Sequence, residues 1–124
     1  MGLFRVGQVL SLPFPYSDLS GSKPRPVLLL ARAGREDWLA CQITSNPYAD
    51  ANALTLSQAE FASGGLPHTS YLRPSKLFTA HESVIRKVLG SITPDTLETV
   101  RVAVVRVIRD LPSQFLTKQT DESK

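Results

Sequence analysis

The chain has 124 residues, 42% of them hydrophobic and 20% charged, with 14 Lys+Arg against 11 Asp+Glu. That is the size and composition of one globular domain, and it excludes a disordered chain, which would be poorer in Val, Ile and Leu. The longest unbroken apolar run, Val27–Ala31, is five residues, too short to span a bilayer, and the single cysteine, Cys41, excludes an intramolecular disulfide framework and a cysteine-based structural zinc site.

Met1-Gly2-Leu3-Phe4 leads directly into an alternating pattern at Val9, without the basic start and apolar core of a secretory signal, so the expected location is the cytoplasm. The first strand is expected over Val9–Phe14, where Leu10, Leu12 and Phe14 alternate with smaller or polar residues. Pro13 and Pro15 lack an N–H, so the end of this strand must lie at an edge or leave the sheet. Residues 16–24 read as a long polar loop rich in turn formers. Pro26–Ala31 follows as a strand apolar on both faces, hence central and buried.

Ala33–Asp37 is a hairpin-sized connection into the strand Trp38–Ser45. There Leu39, Cys41 and Ile43 share one face, and Trp38, Ala40, Gln42 and Thr44 share the other. The first set belongs to a core; the second becomes polar toward its end, which turns Thr44 to the rim. Residues 53–57 form a short alternating strand, and Gln58–His68, with Gly64-Gly65 and Pro67, reads as a loop with one helical turn. Thr69–Leu72 and Ser75–Thr79 look like short strands broken at Pro74, and Ser83–Ile92 is one more extended stretch.

The last element is a helix. Thr93 is its N-cap, Pro94 its first residue, and Asp95 and Glu98 lie near the positive end of its dipole. Leu97, Val100, Val104, Val107, Ile108 and Leu111 form a one-sided stripe that Pro112 ends. The expected organisation is a single domain over residues 1–112 with a polar, flexible tail over 113–124. The expected fold is mainly β: a small, strongly bent barrel of about six short strands closed by a C-terminal helix.

The basic residues cluster. Residues 19–35 hold Lys23, Arg25, Arg32 and Arg35 with no acid, and residues 73–87 hold Arg73, Lys76, Arg86 and Lys87 against Glu82 alone. Converging on one surface, the two segments would suit a polyanion; standing apart, they are solvated strand ends. No phosphate-binding glycine loop, HExxH or EF-hand spacing occurs. His68 and His81 make a poor metal pair, and parity places the Cys41 thiol on the core face, so a mechanism with no metal or other cofactor is expected. Such a mechanism needs a cation and hydroxyl donors around a phosphoryl group. Lys23-Pro24-Arg25-Pro26 supplies an arginine between two prolines, where the loop meets the buried strand. The prolines either hold that guanidinium in place or only terminate the strand.

The run Phe14-Pro15-Tyr16-Ser17-Asp18-Leu19-Ser20-Gly21-Ser22-Lys23-Pro24-Arg25-Pro26-Val27-Leu28-Leu29 resembles the opening signature of the MazF/PemK/Kid toxins. In that family a strand ends in Phe-Pro-Phe-like residues, a Ser/Gly/Lys loop follows, and Arg-Pro begins a hydrophobic strand. Gln42-Ile43-Thr44-Ser45 resembles the family's second motif, and Ser75–Thr79, Leu89-Gly90 and the closing helix match its later part in order and spacing. The resemblance covers about residues 4–110. It implies an SH3-like barrel, usually a homodimer, and a metal-independent, sequence-preferring endoribonuclease from a type II toxin–antitoxin module.

Carried over onto this sequence, the family's catalytic Arg falls on Arg25 and its catalytic Thr/Ser on Thr44. Some members use an acidic or His residue in the first loop. Here that loop offers Asp18 and no histidine, which leaves the general base unassigned, and His81 lies in a different motif. Asp18, Ser20, Lys23, Ser45 and Lys76 are the candidate RNA-binding residues, with Arg73 a further phosphate contact. Trp38 and Tyr16 have rings able to stack on bases, although Trp38, six residues from Thr44, better suits packing at an interface. The expected partners are single-stranded RNA, a second copy of the chain and an acidic antitoxin segment, with no membrane. Two other functions fit the same barrel: a CcdB-like toxin that binds a gyrase subunit, and an inactive RNA-binding barrel. The Arg25/Thr44 pair favours the nuclease, because a gyrase binder needs no phosphate-directed arginine there.

Overall fold

The computed structural model describes residues 3–15, 18–47 and 50–110. Seven strands and one helix follow in the order β1 (Gln8–Pro15), β2 (Ser22–Arg32), β3 (Asp37–Thr44), β4 (Leu54–Leu56), β5 (Phe61–Gly64), β6 (Ser70–His81), β7 (Lys87–Ile92) and α1 (Pro94–Arg109). Short 3₁₀ turns at Gln58–Glu60 and Glu82–Val84 lead into the segments before β5 and β7. All pairings are antiparallel, and the strands form one sheet in the order β4-β6-β3-β2-β1-β7-β5. The sheet curls into a half-barrel whose two ends, β4 and β5, are not paired with each other. No described helix is long and apolar enough to cross a membrane.

The mainly β barrel-and-helix expectation holds, with seven strands in place of about six. The additional strand, β5, lies in the segment expected to be a loop. It contains one buried residue, Phe61, so no alternation announces it. It forms because Gly64 and Gly90 lie directly opposite each other in the β5–β7 ladder. A Cβ on Gly64 would come within 2.2 Å of the Leu89 carbonyl oxygen, and Gly64 has φ +65°, so only glycine fits.

Strand β6 also runs unbroken where Pro74 was expected to split it. Its register with β3 steps from Gln42↔Arg73 to Cys41↔Leu77, so Pro74, Ser75 and Lys76 bulge out of the ladder and the missing N–H costs no cross-strand bond. Strand β2 starts earlier than expected, at Ser22, because its first residues pair with the end of β1. Pro13 and Pro15 are tolerated because the β1–β7 ladder ends at Ser11↔Lys87, leaving that end of β1 open on one side.

Both faces of the central strands are covered. One face carries Val9, Leu28, Cys41, Ile43 and Leu72, capped by Val100 and Val104 of α1. The other carries Leu10, Leu12, Val27, Leu29, Trp38 and Ala40. Trp38 is therefore core, 2% exposed, and not an interface or base-stacking residue. Its indole N–H donates to Glu82 Oε2 at 2.9 Å, and the Arg32 guanidinium lies 4.8 Å from its ring centroid. Leu39, expected in the core with Cys41 and Ile43, is only half-buried.

Helix α1 begins as its sequence implies. The Thr93 hydroxyl accepts from the Thr96 N–H at 3.1 Å, with Pro94 in the first turn. Its stripe is buried at Val100 and Val104, while Ile108 stays 62% exposed. Leu111, Pro112 and the 113–124 tail lie outside the described residues.

Candidate active site

A cavity of about 460 Å³ opens at the end of the sheet where β2 and β3 part. The pairing of these strands explains the opening. In an antiparallel ladder, bonded and non-bonded pairs alternate. Pro13 and Pro24 face each other across β1–β2 and neither has an N–H, so theirs is a non-bonded pair and Leu12↔Arg25 is a bonded one. The hydrogen-bonding direction of Pro24 and Pro26 therefore points away from β1, toward β3. The β2–β3 ladder ends at Val27↔Gln42, because the next residue, Pro26, has no N–H to give to Ile43. Two residues further along each strand, Arg25 and Thr44 stand across the gap, and strand parity puts both side chains on the same face.

The backbone of Arg25 is thus held by β1 while its side chain is exposed and forms no hydrogen bond or ion pair with any described residue. Thr44 is half-buried. Its hydroxyl donates to the Asn46 carbonyl at 3.1 Å and accepts the Asn46 N–H at 3.2 Å, turning the chain out of β3. Lys23, Arg25, Thr44 and Ser45 all line the cavity. Asp18, Ser20 and Lys76 do not line it. Asp18 accepts both the N–H and the hydroxyl of Ser20, at 3.0 and 2.7 Å, and these bonds hold its carboxyl below the usual carboxylate range. That local turn leaves Asp18 outside the cavity wall. Lys76 sits in the β6 bulge, where its charge helps to keep Asp50 ionised.

Arg73, expected to meet phosphate, is committed elsewhere. Its Nε lies 2.8 Å from Asp50 Oδ2, in a pair whose side chains are 20% and 7% exposed. Its Nη1 donates to Gln42 Oε1 at 3.2 Å. The Arg73 hydrogen bond is the main cause that lowers the Asp50 pKa. Cys41 is buried against this pair, and burial pushes its thiol up to about 12, which rules it out as a nucleophile. His81 is at the other end of β3, opposite Asp37, with Nε2 3.1 Å from Glu36 Oε1, and cannot reach the cavity. Tyr16 lies outside the described residues.

Two cavity residues had no assigned place there. Lys87 arrives because β7 pairs with β1 and sets it opposite Ser11. Its signal was the basic segment 73–87, of which it is the member that converges with Lys23 and Arg25. His68 arrives on the 65–69 loop, together with Leu66 and Pro67. Its flanking turn formers were visible in the sequence, but its destination depends on the Gly64–Gly90 contact that starts the loop. The result is a cavity with apolar flanks, Ile43, Leu66 and Leu89, and a cationic mouth, Lys23, Arg25 and Lys87. Among the described lining residues there is no Asp or Glu. This chemistry binds an anion carrying an apolar or aromatic group.

The PemK-like, MazF-like toxin model of type II toxin–antitoxin systems matches residues 5–108. The chain belongs to this toxin family. A comparison with curated protein sequences gives no significant match. Among solved structures, the toxin is similar to an endoribonuclease in complex with its cognate antitoxin from a mycobacterial species, at 19% identity and TM-score 0.65, over 86% of this chain and 95% of that one. It is similar to MazF in a MazE–MazF crystal structure from Deinococcus radiodurans, at 18% identity and TM-score 0.65, over 86% and 97%. It is also similar to the Mycobacterium tuberculosis toxin MazF-mt6, at 18% identity and TM-score 0.59, over 83% and 98%. At these identities the toxin shares their fold.

Proposed function

We propose that this toxin is a metal-independent endoribonuclease that cuts single-stranded RNA through attack of a 2′-hydroxyl on the adjacent phosphorus. The observation that carries this reading is Arg25 and Thr44 facing each other across a cationic cavity, with the Arg25 guanidinium free of partners among the described residues. The transition state concentrates negative charge on nonbridging and leaving oxygens. A guanidinium on a fixed backbone donates to two of them at once, and the Thr44 hydroxyl adds a third donor. Lys23 and Lys87 hold flanking phosphates, and Ser45 offers a further donor. The apolar flanks accommodate a base, which gives the site sequence preference. DNA lacks the attacking hydroxyl and is not cut.

The same reading includes a homodimer and an acidic antitoxin segment as partners. Val102, Val105 and Ile108 leave apolar area on α1 in water, at 47%, 50% and 62% exposure, and the cavity's uncompensated cations suit carboxylates as well as phosphates. Incubation of the purified protein with a long single-stranded transcript in excess EDTA tests the activity. Fragments ending in 2′,3′-cyclic phosphate and 5′-hydroxyl are expected. An intact transcript, or cleavage that EDTA abolishes, overturns the proposal.

A further inference from the structure

Attack by a 2′-hydroxyl requires a group that removes its proton, and neither Arg25 nor Thr44 is suited to that. A guanidinium keeps its proton far above neutrality, and a threonine hydroxyl is not basic. The titratable side chains facing the cavity are Lys23 and Arg25 from β2, Lys87 from β7 and His68 from the loop between β5 and β6. Three of these ordinarily carry their protons at neutral pH. Imidazole is the side chain that ordinarily changes charge between pH 5 and 8. Asp18, the carboxylate nearest in sequence to Arg25, is engaged with Ser20 and does not line the cavity.

The two histidines differ in their surroundings. Both polar ring atoms of His81 are engaged, with Nδ1 2.8 Å from Ser83 Oγ and Nε2 3.1 Å from Glu36 Oε1. The exposed His68 ring has no hydrogen bond or ion pair with any described residue, yet its backbone is held. Its carbonyl accepts from the hydroxyl of buried Ser70 at 3.1 Å, Pro67 precedes it, and the loop starts at the Gly64–Gly90 contact. An anchored backbone with an unengaged imidazole on the cavity wall is what a proton-accepting group requires.

We infer that His68 is the general base of this toxin, taking the proton of the attacking 2′-hydroxyl in the cavity that Arg25 and Thr44 frame. The inference rests on the ribonuclease reading. In the step, the O2′–P bond forms as the P–O5′ bond breaks. The 2′-hydroxyl proton passes to His68, the electron pair of the broken bond leaves on O5′, and O5′ takes a proton from water. The products are a 2′,3′-cyclic phosphate and a 5′-hydroxyl, and His68 returns its proton to solvent.

The test is single-turnover cleavage of a long transcript between pH 5 and 8.5 by wild type, His68→Gln, His68→Ala and Arg25→Ala. Binding of a fully 2′-O-methylated RNA is measured in parallel. Wild type should show a rate rising with pH along a limb of unit slope. His68→Gln should lose about 100- to 10,000-fold in rate and lose that limb, while retaining wild-type RNA binding. Added imidazole should restore part of the His68→Ala activity. A His68→Gln enzyme with wild-type rate and pH profile, beside an inactive Arg25→Ala, overturns the His68 assignment alone. RNA binding lost in step with rate overturns it as well, making His68 a binding residue. A wild-type protein that cuts no RNA at any pH overturns the ribonuclease reading, and this assignment with it.

Discussion

Replacing Arg25 by alanine removes the one guanidinium at the gap between β2 and β3, and the structure separates what this should do to chemistry, binding and stability. The side chain is exposed and unpaired among the described residues, so its loss should change stability by no more than about 0.5 kcal/mol. Lys23 and Lys87 remain on the cavity wall, so RNA binding should weaken without being lost. With three cations meeting phosphates on a single strand, log affinity should fall against log salt with a slope of about −2, and Arg25→Ala should reduce that slope by about 0.7. The chemical step should lose much more. Removing one preorganised donor at a developing oxyanion costs on the order of 100- to 1000-fold, or about 3–4 kcal/mol. Arg25→Lys should recover the salt slope but little of the rate, because an ammonium is a point charge and cannot bridge two oxygens. Cleavage rates, salt-dependent anisotropy and thermal melts on the same preparations distinguish these effects. Wild-type turnover by either variant, at matched melting temperature, would refute the catalytic placement of Arg25.

Thr44→Val should lower cleavage on the order of 100-fold and cost about 1 kcal/mol of stability, because the hydroxyl also bonds Asn46; melts and initial rates check both, and undiminished cleavage counts against its donor role. Pro26→Val supplies the N–H that Ile43 lacks, so the β2–β3 ladder should extend and narrow the gap; stability should hold within about 1 kcal/mol while cleavage falls on the order of 10- to 100-fold, and unchanged amide protection at residue 26 would contradict the ladder account. Asp50→Asn should destabilise by about 2–3 kcal/mol in melts near pH 7, since it leaves Arg73 without its charge partner. The folded-state pKa of Asp50 is depressed, so the stability it contributes is present above the usual carboxylate range and lost as pH falls through the lower folded-state value; acid titration of the melting temperature should therefore be shallower in Asp50→Asn than in wild type.

Local signals were legible where they agreed with the final contacts. The Thr93 cap, Pro94 and the Val100/Val104 spacing specify α1 within its own 16 residues. The apolar run Val27–Leu30 specifies a central strand, and it is buried on both faces. Parity along β3 separates Cys41 and Ile43 from Trp38 and Ala40, and the two sets occur in different core clusters. What the sequence did not specify depends on distant partners. Phe61–Gly64 is a strand because Gly90 lets the backbones meet, and neither segment announces the other. Trp38 is core because the curled sheet covers the face that parity alone would leave to solvent. Lys87 and His68 reach the cavity through the β1–β7 and β5–β7 pairings, long-range facts with no local signature.

Charge patterning locates the basic segments but does not say which cation is available, and here burial and pairing decide. Arg73 and Arg25 are the same residue type in segments of similar character. Arg73 is mostly desolvated, and its interaction with Asp50 and Gln42 offsets that cost; drawing it toward a phosphate would leave Asp50 buried and unpaired. Arg25 has no such bond to break, and its backbone is already fixed by Leu12 on β1 between two prolines. Engaging an RNA phosphate therefore costs Arg25 little beyond side-chain entropy, whereas the same contact by Arg73 would cost several kcal/mol. The same comparison favours His68 over His81, whose ring must first give up Ser83 and Glu36. Groups without a prior partner, on backbone that is already held, are the ones free to spend their interactions on a transition state.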